Sequence, residues 1–441
     1  MRRFPDGFLW GVSTSAYQVE GAVDVDGRGR SIWDTFSHTP GKVENGDTGD
    51  VACDHYQRLE SDLDLLPELG VNAYRFSIAW PRLFPDGRGR VERRGLDHYD
   101  RLIDGLLERG VEPVVTLYHW DLPQALEDEG GWLSRDTVEA FAEYTATCFA
   151  AYGDRVRWWV TQNEPWIIGV LGYQLGIHAP GMTDLRASVE AMHNVLLAHG
   201  RAVQELRAGG TGGKVGAAFS LFPNYPATDT DADRDAARLS GEYVNRWFLD
   251  PVLKGSYPDD MRALYEERVG PLQLDGLDTI ATPSDFVGVN YYTRRVMRAA
   301  PGREPFPWDV EPARPGVPVT DVGWEIVPEC LTDLLMTLKQ EYGDVPVLIL
   351  ENGGVFEDAV HDEGRIDLIR GHLAAVRDAI EQGVDVRGYC HWSLMDNFEW
   401  AMGYRARFGL VHVDYETQAR TVKDSGRYYA QVARANGLED E

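Results

Sequence analysis

The sequence predicts an α/β fold, a single (β/α)8 TIM barrel with long βα loops. Three observations carry that expectation. Eight short apolar runs recur along the 441 residues, amphipathic or looser stretches separate them, and acids and amides gather where the runs end. Runs this short and nearly continuous in apolar or β-branched residues read as strands covered on both faces by helices. Eight alternations of strand and helix fit a barrel with right-handed crossovers. Periodicity alone does not close a barrel, so a doubly wound sheet is the alternative.

In order, the runs are 8–13, 73–80, 113–120, 158–164, 214–220, 286–293, 347–351 and 387–392. Helical patterns lie between them. Residues 50–69 end at Gly70, a C-cap signal, and Ser134 caps a segment that reaches Tyr152. Residues 185–208 close on Gly209 and Gly210, and 328–342 are followed by Gly343. Residues 294–320, with prolines at 301, 305, 307, 312, 315 and 318, read as a long loop after the sixth strand. No Pro/Ser-rich linker, low-complexity tract or 20–50-residue repeat divides the chain. Residues 1–441 are therefore expected to form one domain.

Composition removes several function classes. Hydrophobic residues at 43% and aromatics at 11% exclude a disordered or collagen-like chain. No stretch nears eighteen consecutive apolar residues, so no membrane span is expected. With 43 basic against 71 acidic residues, the formal charge of −28 repels phosphate backbones and anionic lipid. Neither nucleic acid nor membrane is expected as a partner, and the sequence sets no oligomeric state. Pro5, Asp6 and Gly7 interrupt any apolar leader behind Arg2 and Arg3. Cys53, Cys148, Cys330 and Cys390 form no CxxC pair and fit reduced thiols. A cytoplasmic location is expected, with a secreted form lacking its leader as the alternative.

Two apparent motifs do not hold. The GGTGGK run at 209–214 leads into a strand instead of a helix and lacks the glycine spacing of a phosphate loop. The eleven histidines contain no HExxH and no zinc spacing with cysteine. Neither a metal nor an organic cofactor is expected.

The informative residues end the strand runs, at the rim that carries the active site in such barrels. Glu164 closes WWVTQNEP and Glu351 closes PVLILENGG. A lone Glu at a strand end is more often a cap or an ion-pair partner. Two of them behind strongly apolar runs, each beside an Asn and a turn signal, suit acid/base or nucleophilic work on a glycosidic bond.

These two segments do not stand alone. FLWGVSTSAYQVEG (8–21), YRFSIAWPR (74–82), LYHWDLPQAL (117–126), GVNYYT (288–293), GWEIVPE (323–329) and HWSLMDNFEWAMGYRARFGLVHVDY (391–415) occur in order along the chain. Together with TQNEP and LENG they strongly resemble the family 1 glycoside hydrolases, the retaining β-glucosidase group. The resemblance covers essentially the whole chain.

It implies a retaining exo-β-glycosidase with Glu351 as nucleophile and Glu164 as general acid/base. Arg75 and Tyr292 are then the supports of the nucleophile. Gln18, His119, Asn163, Asn290 and Glu399 match the polar sugar contacts, with Asn163 expected at the 2-hydroxyl. Trp120, Trp392, Trp400 and Phe408 match the aromatic wall. Trp324 matches a position lining the leaving-group side, and Trp166 is a further candidate there. The implied partner is a small carbohydrate, a β-glucoside or cello-oligosaccharide. Glu399, with no lysine between Lys339 and Lys423, argues against a 6-phosphorylated sugar. Leu350, Gly354 and Gln57 depart from frequent family residues without removing a catalytic group. A transglycosylase using the same covalent intermediate and a non-catalytic sugar-binding protein are the competing functions.

Overall fold

The computed structural model describes residues 2–357 and 360–439. Eight parallel strands close into a barrel: β1 (Leu9–Ser13), β2 (Ala73–Ser77), β3 (Glu112–Thr116), β4 (Trp158–Asn163), β5 (Lys214–Ser220), β6 (Phe286–Asn290), β7 (Val347–Asn352) and β8 (Val386–Trp392). Each strand pairs with its neighbour in sequence, and β8 closes on β1 with Trp392 opposite Ser13. The doubly wound alternative is excluded by that closure.

Inside the barrel, at the N-terminal end, Ala73, Val114, Val160, Ala218, Phe286, Leu348 and Leu350 form a dry plug. Two residues further along β2 the same face carries Arg75. The interior therefore changes from apolar to polar along one strand, and the polar end is the C-terminal rim.

Several helices follow the sequence closely. Arg135–Tyr152 starts from Ser134, whose side chain accepts from the Asp136 amide, while Leu185–Ala208 and Pro328–Tyr342 hold the expected bounds. The apolar runs, by contrast, extend past the true strands at 73–80, 113–120 and 286–293. Their final residues leave the strands as βα loops or, at Trp80, as the start of a short helix, and most of them are buried, which draws apolar side chains there.

Two expectations need correction. Residues 50–69 are not one helix; only Leu59–Leu63 and Leu65–Glu68 are helical. Ala52 and Asp54 adopt left-handed backbone (φ 48° and 51°), which an α-helix cannot contain. Cys53 and His55 instead donate their amides to the Val19 carbonyl, both at 3.1 Å. Residues 294–320 are not only loop. Arg295–Ala299 and Trp308–Val310 pair antiparallel, and Asn224–Pro226 runs parallel to the first of them. The prolines at 301, 305 and 307 fall in the connection, while Met297, Phe306 and Trp308 are buried.

Gly353 follows the end of β7 where a Cβ would stand 2.1 Å from the Trp392 carbonyl oxygen. Gly353→Ala is expected to force β7 and β8 apart at the rim, at a cost of about 1–3 kcal/mol. Thermal unfolding checks this; an unchanged midpoint would contradict the packing described.

Candidate active site

Two β-bulges set the rim. The register of β4 slips against β5 between Val160 and Asn163, and β7 slips against β6 between Ile349 and Glu351. A bulge re-aims the side chains that follow it. Both slips fall immediately before the two candidate glutamates. Glu164 also has φ 52°, as Trp120 (78°) and Trp400 (53°) lie in the left-handed region. Non-glycine residues held there cost of order 1–3 kcal/mol each and persist only where the surroundings fix them. At Glu164 the fixing bonds are visible: its amide donates to the Ala218 carbonyl (2.8 Å), and Trp120 Nε1 donates to the Asn163 carbonyl (2.8 Å).

The polar network starts at Arg75, which is wholly buried. Its Nη1 donates to Glu351 Oε1 at 2.5 Å, Nη2 to Asn163 Oδ1 at 2.7 Å and Nε to Thr116 Oγ1 at 3.0 Å. Tyr292 donates its hydroxyl to the other Glu351 oxygen at 2.7 Å. Asn290 Nδ2 bridges Glu164 Oε1 (2.8 Å) and Asn163 Oδ1 (2.9 Å). Asn163 Nδ2 lies 3.1 Å from His119 Nε2. At the far end, Gln18 Nε2 donates to Glu399 Oε2 at 3.1 Å and to the Phe398 carbonyl at 2.9 Å. Residues from seven separate segments thus meet in one cluster.

The two glutamates have different surroundings although both are buried. Glu351 accepts from a cation and a phenol. Glu164 accepts from a neutral amide, and its carboxyl is pushed up to about 8, first by desolvation and then by the Glu351 charge. Glu399 is also raised to about 8, by desolvation and then Glu351, against the pull of Trp392 and Gln18. His119 is held well below its usual range by burial and by Arg75, so its ring is neutral. Two buried polar atoms here, His119 Nδ1 and Asn290 Oδ1, have no partner among the described residues.

Aromatic rings wall the cluster. Trp400 packs on Trp120 with ring centroids 4.6 Å apart, and His119 stacks on Trp392 at 5.7 Å. Phe408 meets Tyr292 at 6.0 Å and Trp324 at 6.1 Å, in one packed cluster with Trp392. The structure brings all of the residues named from the sequence to this one rim except Trp166. Trp166 lies in an adjoining groove, edge-on to Phe222 and Tyr243. Sequence reasoning missed Trp33, Tyr17 and His178. They support Trp400 from behind at 4.6, 6.1 and 6.5 Å, and His178 also meets Trp120 at 5.5 Å. Tyr17 lies inside the 8–21 motif and Trp33 in the short helix Ile32–Ser37, but neither residue type signals a supporting role, so only the fold reveals it.

A closed parallel barrel with paired carboxyls and an aromatic-walled polar pocket at its C-terminal rim defines a carbohydrate-cleaving class of enzyme. Comparison with known proteins gives the family. The model of glycosyl hydrolase family 1 matches residues 1–438. The chain is 47% identical over 447 aligned residues to beta-glucosidase A of Thermotoga maritima, covering 100% of both chains. It is likewise 47% identical to beta-glucosidase A of Acetivibrio thermocellus, covering 99% of each. The solved beta-glucosidase from Thermotoga maritima in complex with castanospermine superposes with a TM-score of 0.96 over 100% of both chains, at 47% identity. The chain belongs to glycosyl hydrolase family 1. The transglycosylase and binding-protein readings find no support in these relatives.

Two predictions follow from the electrostatics. Removing the Glu351 charge with Glu351→Gln lowers the Glu164 pKa, because like-charge repulsion helps raise it; titration of the labelled carboxyl by NMR reads the shift, and an unmoved or higher value would refute the coupling. Glu399 has a folded-state pKa above its unfolded value. Its stabilising contribution is therefore complete below the ordinary carboxylate range and is lost as pH rises through about 8. Glu399→Gln should accordingly raise the unfolding midpoint near pH 8–9 and change it little near pH 5 (scanning calorimetry).

Proposed function

We propose that this chain is a retaining exo-β-glucosidase in which Glu351 is the nucleophile and Glu164 the general acid/base. One observation carries the division of roles. Glu351 is bonded to Arg75 and Tyr292, groups that favour a carboxylate, while Glu164 sits desolvated beside that charge and favours its proton. Retaining glycosidases need this asymmetry, with the two carboxyls about 5–5.5 Å apart.

In the first step Glu351 attacks the anomeric carbon as Glu164 protonates the departing oxygen. The covalent glucosyl-enzyme then forms, and loss of the Glu351 charge removes the repulsion that kept Glu164 protonated. Glu164, now ionised, takes a proton from water, which attacks the same carbon and frees Glu351. The β configuration is kept through two inversions. The Asn163 amide, fixed by Arg75 and Asn290, is placed for the 2-hydroxyl, where a hydrogen bond strengthens in the transition state. Gln18, His119 and Glu399 are placed for the remaining hydroxyls. Trp120, Trp392, Trp400 and Phe408 supply the apolar wall that a sugar's C–H face requires. Trp324 lines the leaving-group side.

The substrates are terminal β-D-glucosyl residues of short oligosaccharides, cello-oligosaccharides among them, or of aryl and alkyl glucosides. Cleavage of cello-oligosaccharides would give the enzyme a place in cellulose degradation. Glu399, buried beside the glucosyl pocket, disfavours a phosphate on the sugar. Residues 1–441 are taken as one catalytic domain, a reading supported by the family match through residue 438. Four free, buried cysteines support a cytoplasmic location. Among the described residues no helix is long and apolar enough to cross a membrane.

The test is covalent trapping with an activated 2-deoxy-2-fluoro-β-D-glucoside, read by intact mass and peptide mapping. Loss of the 2-hydroxyl contact slows both steps, and the good leaving group lets the intermediate accumulate. One added fluoroglucosyl group on Glu351 is expected. An adduct on Glu164, or on no residue while aryl β-glucosides are still cleaved slowly, would overturn the assignment.

A further inference from the structure

Beside the glucosyl pocket, on the Trp324 side, a groove of about 330 Å³ holds a cation that the mechanism above does not use. The groove adjoins both catalytic strands. Trp166 lies two residues beyond Glu164, and Trp324 packs at 5.3 Å on Tyr292, which donates to Glu351. Two arginines line it. Arg294 is committed to Glu325, with Nε 2.6 Å from Oε2. The other acid on the wall, Glu311, is held by Arg298 at 2.6 Å. Arg295 has no carboxylate partner among the described residues, and its Nη1 is buried without an acceptor. Its guanidinium lies 5.7 Å from the Phe222 ring centroid and 6.0 Å from that of Trp166.

An unpaired guanidinium is unusual in a chain with 71 acids. Desolvation disfavours its charge, and no nearby carboxylate compensates. An anion entering the groove restores that balance, and a guanidinium matches a carboxylate in geometry as well as charge. The remaining walls are flat aromatic rings, which suit another ring.

We propose that this groove selects β-glucosides whose aglycone is an aromatic ring bearing a carboxylate, with Arg295 pairing the carboxylate and Trp166, Phe222 and Trp324 flanking the ring. The inference rests on the glucosidase reading of the adjoining pocket and specifies its substrate class. The net charge of −28 opposes an anion at long range, but solvent ions screen that field over about 10 Å, whereas a partly desolvated contact pair is screened far less.

The experiment compares kcat/KM for 4-carboxyphenyl β-D-glucoside and its methyl ester, with phenyl β-D-glucoside as reference, in the wild type, Arg295→Gln and Arg295→Lys. The wild type is expected to favour the acid over the ester by about tenfold. Arg295→Gln abolishes that preference through KM, Arg295→Lys keeps part of it, and about 0.5 M salt narrows it in the wild type. Turnover of the phenyl reference without preference for the acid overturns the proposal, as does a preference that survives in Arg295→Gln. Failure of the wild type to cleave phenyl β-D-glucoside removes the glucosidase reading itself. If Arg295→Gln does not fold, inhibition of the wild type by free 4-hydroxybenzoate and by its methyl ester decides, and equal inhibition by the two overturns the proposal.

Discussion

Arg75 places a permanent positive charge inside the barrel with none of the residue exposed, and its neighbours are arranged so that this charge is offset. A buried cation is tolerated only when its donors are paired, and removing one partner of such a pair costs about 3–5 kcal/mol. The partners of Arg75 come from β3, β4 and β7: Thr116, Asn163, the Leu350 carbonyl and Glu351. One side chain therefore ties three other strands together at the depth where the apolar plug ends. Lysine could not replace it, because a single ammonium lacks the planar fork that reaches an amide, a hydroxyl and a carboxylate at once. The positions of Asn163 and Glu351 follow from this fork, and Asn290 then carries the alignment on to Glu164.

The same centre holds more acid than it can neutralise. Three carboxyls, Glu164, Glu351 and Glu399, share the site with one cation. Glu351 takes the cation, so the other two are left with pKa values raised to about 8. For Glu164, in its proposed role, that surplus is useful: a general acid works best when its pKa lies near the working pH. For Glu399 the surplus comes from desolvation and then the Glu351 charge, which outweigh the bonds from Trp392 and Gln18. Destabilising charges and left-handed Trp120, Glu164 and Trp400 are concentrated where the chemistry occurs. The barrel strands and the apolar layer around them supply the stability that tolerates this strain.

Much of this was legible in the sequence, and the exceptions have physical causes. Strand cores read correctly because burial on both faces makes them continuous apolar runs. Their ends did not: Ile78, Ala79, Leu117, Tyr118 and Tyr291 are buried loop residues, and hydrophobicity cannot distinguish a buried loop from a strand. Helices such as 185–208 read well because capping residues mark them locally. Residues 50–58 misled because the amides of Cys53, His55 and Tyr56 bond to Val19 and Glu20, far earlier in the chain. The hairpin hidden in 294–320 was obscured by prolines that sit in its connection. At the site, residues adjoining strand ends carried recognisable motifs, whereas Trp33, Tyr17 and His178 act by packing behind Trp400 and Trp120, a role their residue types do not announce.

The asymmetry between the two sides of the cleft explains where specificity resides. On the glucosyl side each carboxyl is hydrogen-bonded by a neighbouring side chain, and Trp400 is itself packed on Trp33 and Tyr17. Such a surface is fixed in shape by its own packing and hydrogen bonds. On the leaving-group side the walls come from the hairpin at Arg295–Ala299 and Trp308–Val310 and from the turn that presents Trp324. These elements hang on the βα loops and carry no part of the barrel's hydrogen-bond ladder. Their residues can change without disturbing the Arg75 network, so in the proposed function the barrel fixes the reaction while the loop sheet sets the leaving group.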